Sequence, residues 1–410
     1  MVTAGIPFEA AVQRQPKILA FVLPQFHSIP ENDAWWGKGF TEWTNVRKAQ
    51  PLFRGHLQPR VPANGRYYDL LDPATQDWQA ALARDHGLYG FCYYHYWFAG
   101  KRLLEKPLES LLERGKPDFP FCLAWANEPW TRVWDGGESQ VLMPQSYGAE
   151  SDWTTHFDYL LRVFRDPRYI RVDGKPVLLI YRSASIAVCE PMLGLWRRLA
   201  ERAGLPGLHI VSMLTGFAWD LRPIFDAFAE FEPAYTFTHR RPYILRKRER
   251  WIRKITKLSW RWFGRAGRAP NSYDYGGLWR AVSKRPLPGR TYPGAFVDWD
   301  NSPRRGLKRS MVMRNFDPAA FEMGIRAQLR KAAAAGAEFV FINAWNEWAE
   351  GAYLEPDEAR GTFFLDAIRD AVNEMRQPAS AVAASSLTES SRKQAALSAD
   401  ENSVRDTTTL

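Results

Sequence analysis

Glu347 and Glu350 stand three residues apart in Asn343-Ala344-Trp345-Asn346-Glu347-Trp348-Ala349-Glu350-Gly351, directly after the apolar run Glu338-Phe339-Val340-Phe341-Ile342. Two carboxylates so placed are the acid and base that glycosidic chemistry needs. Trp345 and Trp348 offer flat apolar faces for a sugar ring, and Asn346 offers an amide to read hydroxyls. If both glutamates reach one mouth, burial and mutual repulsion raise one of their pKa values, leaving one acid and one base near neutrality. The alternative is a solvated face, or an ion pair with a loop arginine.

Other segments carry the same flavour. Trp125-Ala126-Asn127-Glu128-Pro129-Trp130-Thr131-Arg132 repeats the Asn-Glu pair. Glu128 is a candidate for acid/base work or for hydroxyl binding, with Asn127 and Trp130 beside it. In Tyr93-Tyr94-His95-Tyr96-Trp97 the residues Tyr94, His95 and Trp97 are candidates to line a site, although a histidine among aromatics often simply packs. His27 heads a long first loop with Trp35, Trp36, Glu42, Trp43 and Asn45, too aromatic for a plain connector and expected to wall a cleft. Asp298-Trp299-Asp300-Asn301-Ser302-Pro303-Arg304-Arg305 offers Asp300 to a hydroxyl and its arginines to a phosphate or uronate. A capped, ion-paired loop is the competing reading there.

These residues need elements to position them. Eight apolar, β-rich runs recur: Lys17–Val22, Leu88–Tyr93, Phe119–Trp125, Val177–Tyr181, Leu208–Met213, Phe225–Phe231, Ala295–Trp299 and Phe339–Ala344. Helical segments lie between many of them: Pro73–His86, Arg102–Arg114, Ser151–Phe164, Pro191–Ala203, Pro318–Ala335 and Thr362–Met375. The alternation predicts an α/β fold, a (β/α)8 TIM-like barrel with long βα loops. A doubly wound sheet is disfavoured, because the first strand runs into Leu23-Pro24-Gln25-Phe26-His27 and not into a glycine-rich phosphate turn. In a barrel, catalytic groups belong at the C-terminal ends of strands, where these candidates fall.

The 410-residue chain is 46% hydrophobic, enough for a sizeable core, and holds 18 Trp, 16 Tyr and 24 Phe. Its three cysteines, Cys92, Cys122 and Cys189, form no framework and no metal-ligand spacing, so neither metal nor cofactor is expected. Met1 to Gln15, read as an N-terminal extension, lacks a signal-peptide pattern, and no apolar stretch is long enough to span a bilayer. A cytoplasmic protein is the expectation.

Arg240 to Arg268 holds twelve Lys/Arg against one Glu, more than the whole net charge of +10. Within this basic insertion, 240–268, Trp251, Ile255, Leu258 and Trp262 fall on one helical stripe, the pattern of a cationic helix lying on an anionic membrane at the inner face of the cell. Packing of the stripe on the barrel competes, and nucleic acid is disfavoured for want of a binding motif. From 377 to 410 the small polar composition predicts a disordered tail. The main domain is placed at 16–376.

Four motifs carry a family resemblance: Leu23-Pro24-Gln25-Phe26-His27, Trp35-Trp36-Gly37-Lys38-Gly39-Phe40-Thr41-Glu42-Trp43, Gly90-Phe91-Cys92-Tyr93-Tyr94-His95-Tyr96-Trp97 and Asn343 through Gly351. From about Lys17 to Met375 the chain resembles the WbsX family of lipopolysaccharide-biosynthesis proteins and glycosyltransferases, which is related to glycoside hydrolase family 99. The resemblance implies a (β/α)8 barrel acting on glycosidic bonds of a surface polysaccharide or lipid-linked oligosaccharide. It implies Glu347 as the base that deprotonates a substrate 2-hydroxyl, giving a 1,2-anhydro sugar, and Glu350 as the acid that protonates the leaving oxygen. Ala349 stands where family 99 often has His, which bears on the sugar subsites. The reading is retaining hydrolysis or transglycosylation, with a sugar-nucleotide glycosyltransferase and a non-catalytic glycan-binding assembly protein as alternatives.

Overall fold

The structure, a computed structural model, describes residues 15–132, 140–239, 251 and 272–376. The tail from 377 lies outside the described residues, as do the basic insertion apart from Trp251 and all but the last residue of the N-terminal extension.

Nine parallel strand segments form a nearly closed ring. In chain order they are β1 (Lys17–Val22), β2 (Gly90–Phe98), β3 (Phe121–Trp125), β4 (Lys175–Ile180), β5 (His209–Leu214), β6 (Ala227–Glu230), β7 (Thr291–Tyr292), β8 (Gly294–Phe296) and β9 (Phe339–Asn343). β1 sits between β9 and β2, with Leu19 opposite both Phe341 and Gly90. β2 to β6 then follow in order. β7 and β8 are two halves of one barrel position, parted by Pro293. The first half pairs with β6 and the second with β9. Proline cannot donate to a ladder, so the strand switches partners there. Gly294 is needed at the switch, since a Cβ would collide with the Glu230 carbonyl. Most strand positions are buried on both faces, which is why these strands read as near-continuous apolar runs.

The helices that matter to the site are α1 (Pro30–Trp36), α2 (Glu42–Lys48), α3 (Pro73–Asp85), α4 (Lys106–Arg114), α5 (Glu150–Phe164), α6 (Cys189–Arg202), α7 (Ala234–His239), α8 (Tyr275–Lys284), α9 (Ser302–Arg309), α10 (Pro318–Ala335) and α11 (Phe363–Arg376). Asp72 caps α3 by accepting the Ala74 N–H, and Asp317 caps α10 by accepting the Ala319 N–H. Gly336 closes α10 in the left-handed conformation. The sequence reading missed α8, whose Gly276 and Gly277 weaken its local helical signal. The eight expected strands are all present, so the (β/α)8 architecture holds with its long βα loops.

Candidate active site

The C-terminal ends of the strands open into a cavity of about 730 Å³. β2 supplies Tyr94 and Tyr96, the turn after β3 supplies Glu128 and Trp130, and the end of β4 supplies Tyr181 and Arg182. Trp36 closes one side from α1, and Arg304 and Arg305 enter from α9. Glu347 and Glu350 reach the cavity from the turn that follows β9.

The two glutamates share one cation. Arg304 places Nη2 2.8 Å from Glu347 Oε2 and Nη1 2.8 Å from Glu350 Oε1. The same Nη2 lies 2.6 Å from Oε1 of Glu42, the first residue of α2. Glu347 is only 7% exposed. Burial lifts its carboxyl to about 8; Arg304 opposes this, while Glu350 and Glu42 reinforce it. Burial also works against the Arg304 charge, but Glu42, Glu350 and Glu347 more than offset it, so the guanidinium stays protonated. Two cavity-facing carboxylates, one holding its proton near neutral pH, are what acid/base work on a glycosidic bond requires.

Backbone ties fix the turn. The Ala349 N–H donates to Glu42 Oε1 at 3.0 Å, the Asp300 N–H donates to the Glu350 carbonyl at 2.7 Å, and the Trp345 N–H donates to the Phe21 carbonyl at 2.8 Å. Asn346 bridges to the end of β1, accepting the Leu23 N–H at 2.7 Å and donating to the Leu23 carbonyl at 3.0 Å. Asn127 does the same at the end of β4, accepting the Arg182 N–H at 2.8 Å and donating to its carbonyl at 3.1 Å. Both asparagines thus bracket backbone and do not line the cavity.

Several further expectations need correcting. His95 and Trp97 face away from the cavity because side chains alternate along β2 and Tyr94 and Tyr96 take the inner face. His95 Nε2 lies 2.9 Å from His156 Nε2 on α5, and Trp97 stacks on His156 with centroids 4.4 Å apart. Burial drops the His95 pKa to about 3, so it is a neutral packing residue. His27 turns its Nδ1 to the Pro24 carbonyl at 3.1 Å and is buried off the cavity. Trp43 donates to the Tyr68 carbonyl, and Trp348 stacks on Tyr353 at 3.7 Å and donates to Glu355. Trp345 is fully buried. Trp43 and Trp348 are core for the loops, and Trp345 is part of the barrel core.

Asp300 is also internal. Its Oδ2 lies 2.7 Å from His56 Nε2 and accepts from Gln58 Nε2 at 2.6 Å. Burial would raise its pKa, but the His56 bond and the Arg60 charge bring it to about 2. Arg304 is spent on three carboxylates, so of that arginine pair Arg305 alone remains exposed at the cavity.

Of the residues singled out in the sequence, Glu128, Trp130, Tyr94, Glu347 and Glu350 line the cavity. The alternative of an ion pair with a loop arginine is met by both glutamates, with Arg304 as the hub that the sequence did not single out. The sequence reading gave Glu42 only to the wall of the cleft, and it gave Tyr181, which lines the cavity, no role. Arg304 and Glu42 are 262 residues apart, and no local pattern links them. The available signal was a glutamate in a strongly apolar loop, which needs a cation wherever it is buried. Among the described residues no set of three metal-ligating side chains is placed to hold a metal ion.

Fold and site together place a cation-bridged carboxylate pair at the mouth of a (β/α)8 barrel. Comparison with known proteins gives the family. The sequence model of the family described as Glycosyltransferase WbsX matches residues 18–368, and the chain belongs to that family. It is 41% identical over 361 residues to WxcX, an uncharacterized protein of Xanthomonas campestris pv. campestris strain B100, and equally to WxcX of strain ATCC 33913. The match covers 87% of this chain but 49% of WxcX, so the chain spans about half the length of those relatives. Among solved structures, a glycoside hydrolase-like protein shares the fold, with a TM-score of 0.54, 13% identity, and coverage of 89% of this chain and 96% of that one. A GH99 endo-alpha-mannosidase from Bacteroides thetaiotaomicron superposes with a TM-score of 0.48 at 14% identity, covering 88% and 97%.

Proposed function

We propose that this protein breaks glycosidic bonds of a cell-surface polysaccharide, or of its lipid-linked precursor, with retention, passing the glycosyl group to water or to another sugar. The observation that supports this most is the pair Glu347 and Glu350 on one guanidinium at the cavity. In the scheme implied by the resemblance, Glu347 takes the proton of the 2-hydroxyl as that oxygen attacks the anomeric carbon. Glu350 gives its proton to the departing oxygen. The 1,2-anhydro sugar is then opened by a water or sugar hydroxyl that returns its proton to Glu350, while the 2-oxygen recovers its proton from Glu347. Burial holds the Glu347 proton at neutral pH, so this base becomes available as pH rises through about 8.

The family description favours a second reading, glycosyl transfer from a sugar nucleotide or lipid-linked donor. Incubation with α-mannoside oligosaccharides, with and without nucleotide sugars, separates the two. Product formed without nucleotide and lost in Glu347→Gln and Glu350→Gln is the expected result. Product that survives both substitutions overturns the mechanism. Contact with an anionic membrane through 240–268 is a further part of the proposal, supported by the basic sequence and by Trp251, 64% exposed. Liposome flotation unchanged on deleting 240–268 would dismiss that contact.

A further inference from the structure

We infer that Glu42 and Arg304 form a positioning pair, brought together from the loops after the first and seventh barrel positions, that sets whether Glu347 carries its proton. The inference rests on the proposed role of Glu347, but its test does not depend on turnover.

Glu42 is fully buried, and its two oxygens are treated differently. Oε1 takes both the Arg304 Nη2 at 2.6 Å and the Ala349 N–H at 3.0 Å. Ala349 lies between the two glutamates, so one oxygen holds both the cation and the turn that presents Glu350. Oε2 is buried and accepts no hydrogen bond from the described residues. A buried carboxylate oxygen without a donor is costly as part of an anion and tolerable as a hydroxyl. Three carboxylates around one guanidinium therefore hold a proton among them, because one positive charge cannot balance three buried negative ones. Burial raises the Glu42 pKa, with Arg304 opposing.

The groups facing this cluster leave the balance with these four residues. Tyr94 and Tyr96 on β2 and Tyr181 after β4 all have pKa values pushed well above the ordinary by burial, and Glu347 adds to the rise, so they stay neutral near pH 8. Glu128 stands across the cavity with Arg182 at 3.9 Å, and Arg305 follows Arg304 on α9. Glu42 is the carboxylate farthest from the reaction space, since it does not line the cavity. Its charge acts on Glu347 through Arg304 and through space, so it is a positioning group and not a catalytic residue.

The test is a pH titration of the full chain labelled with 13C at the glutamate carboxyl carbon, read by NMR, with Glu347→Gln used to assign the Glu347 signal. In the unsubstituted protein that signal is expected to titrate near 8. In Glu42→Gln it should move down by about one pH unit or more, roughly a tenfold loss of proton affinity, because Arg304 and the shared proton then serve two carboxylates in place of three. Should Glu42→Gln fail to fold, Glu42→Asp withdraws the charge by one methylene and should move the signal the same way by less. A Glu347 titration that stays put in the variant that folds, even with a lowered Tm, assigns Glu42 to structure alone and overturns the inference. If the titration moves but Glu347→Gln leaves glycan turnover intact, the proposed reaction fails while the pair stands.

Discussion

The molecule contains two Asn-Glu pairs at strand ends, Asn127-Glu128 after β3 and Asn346-Glu347 after β9, and they differ in one respect. Each asparagine forms a two-way bridge with the backbone of a single residue on the neighbouring strand end, Arg182 in one case and Leu23 in the other. Each bridge extends the parallel ladder by one side-chain rung and turns the next residue toward the cavity. There the likeness stops. The Glu128 side chain is 40% exposed and its nearest cation, Arg182, is 3.9 Å away. Glu347 is nearly buried and grips Arg304 at 2.8 Å with two more carboxylates on the same guanidinium. The same dipeptide on the same scaffold thus gives a loosely held side chain at one place and a buried, ion-paired carboxyl at the other. The surroundings supplied by other loops make that difference.

The largest expected effect tests this directly. Glu347→Gln should lower kcat about 10³-fold, within the range for losing a general acid or base, while Glu128→Gln should fall well short of that. Equal losses in a steady-state assay on α-mannoside oligosaccharides would erase the distinction. Next comes the pair of arginines. Arg304→Met leaves buried carboxylates without their cation and should cost about 3–5 kcal/mol in chemical denaturation. Arg182→Met, beside a half-exposed partner, should cost about 1 kcal/mol or less.

The asparagines should behave alike. Asn346→Ala and Asn127→Ala each strand a buried backbone N–H and C=O, and each should cost about 1–3 kcal/mol. A large gap between them would break the equivalence of the two bridges. The remaining prediction concerns pH dependence. The Glu347 pKa is raised from 4.5 to about 8, so the folded state binds a proton that the unfolded state releases. Stability should therefore fall as pH rises between those values, by up to about 1.4 kcal/mol per pH unit, and level off above 8. Glu355, raised by burial to about 7, adds a similar slope, so Glu347→Gln should flatten the curve only in part. A slope unchanged by that substitution would place Glu347 outside the titrating set.

Much of the barrel was legible because its signals are local. A buried strand must be an apolar run bounded by Pro, Gly or polar turns, and all eight runs obey that pattern. The break at Pro293 was not legible, since what matters there is that two halves of one strand choose different neighbours. In the site, the composition of the last turn pointed to Glu347 and Glu350. It misled about Trp345, Trp348 and Asn346, because tryptophan and asparagine serve buried loops as readily as sugars. His95 was ambiguous for a related reason: alternation along β2 fixes that it and Tyr94 face opposite ways, but not which of them faces inward.

The sequence by itself determined the succession of strands and helices, and hence that both Asn-Glu pairs would stand at the C-terminal mouth of a barrel. Hydrophobic periodicity and turn chemistry act over a few residues, so they can be read along the chain. The tertiary structure alone decided that Glu42, Glu347 and Glu350 would share Arg304 and that Glu128 would remain apart. A buried charge is stable only beside its counter-charge, and here that partner comes from hundreds of residues away, where only the closed barrel brings it.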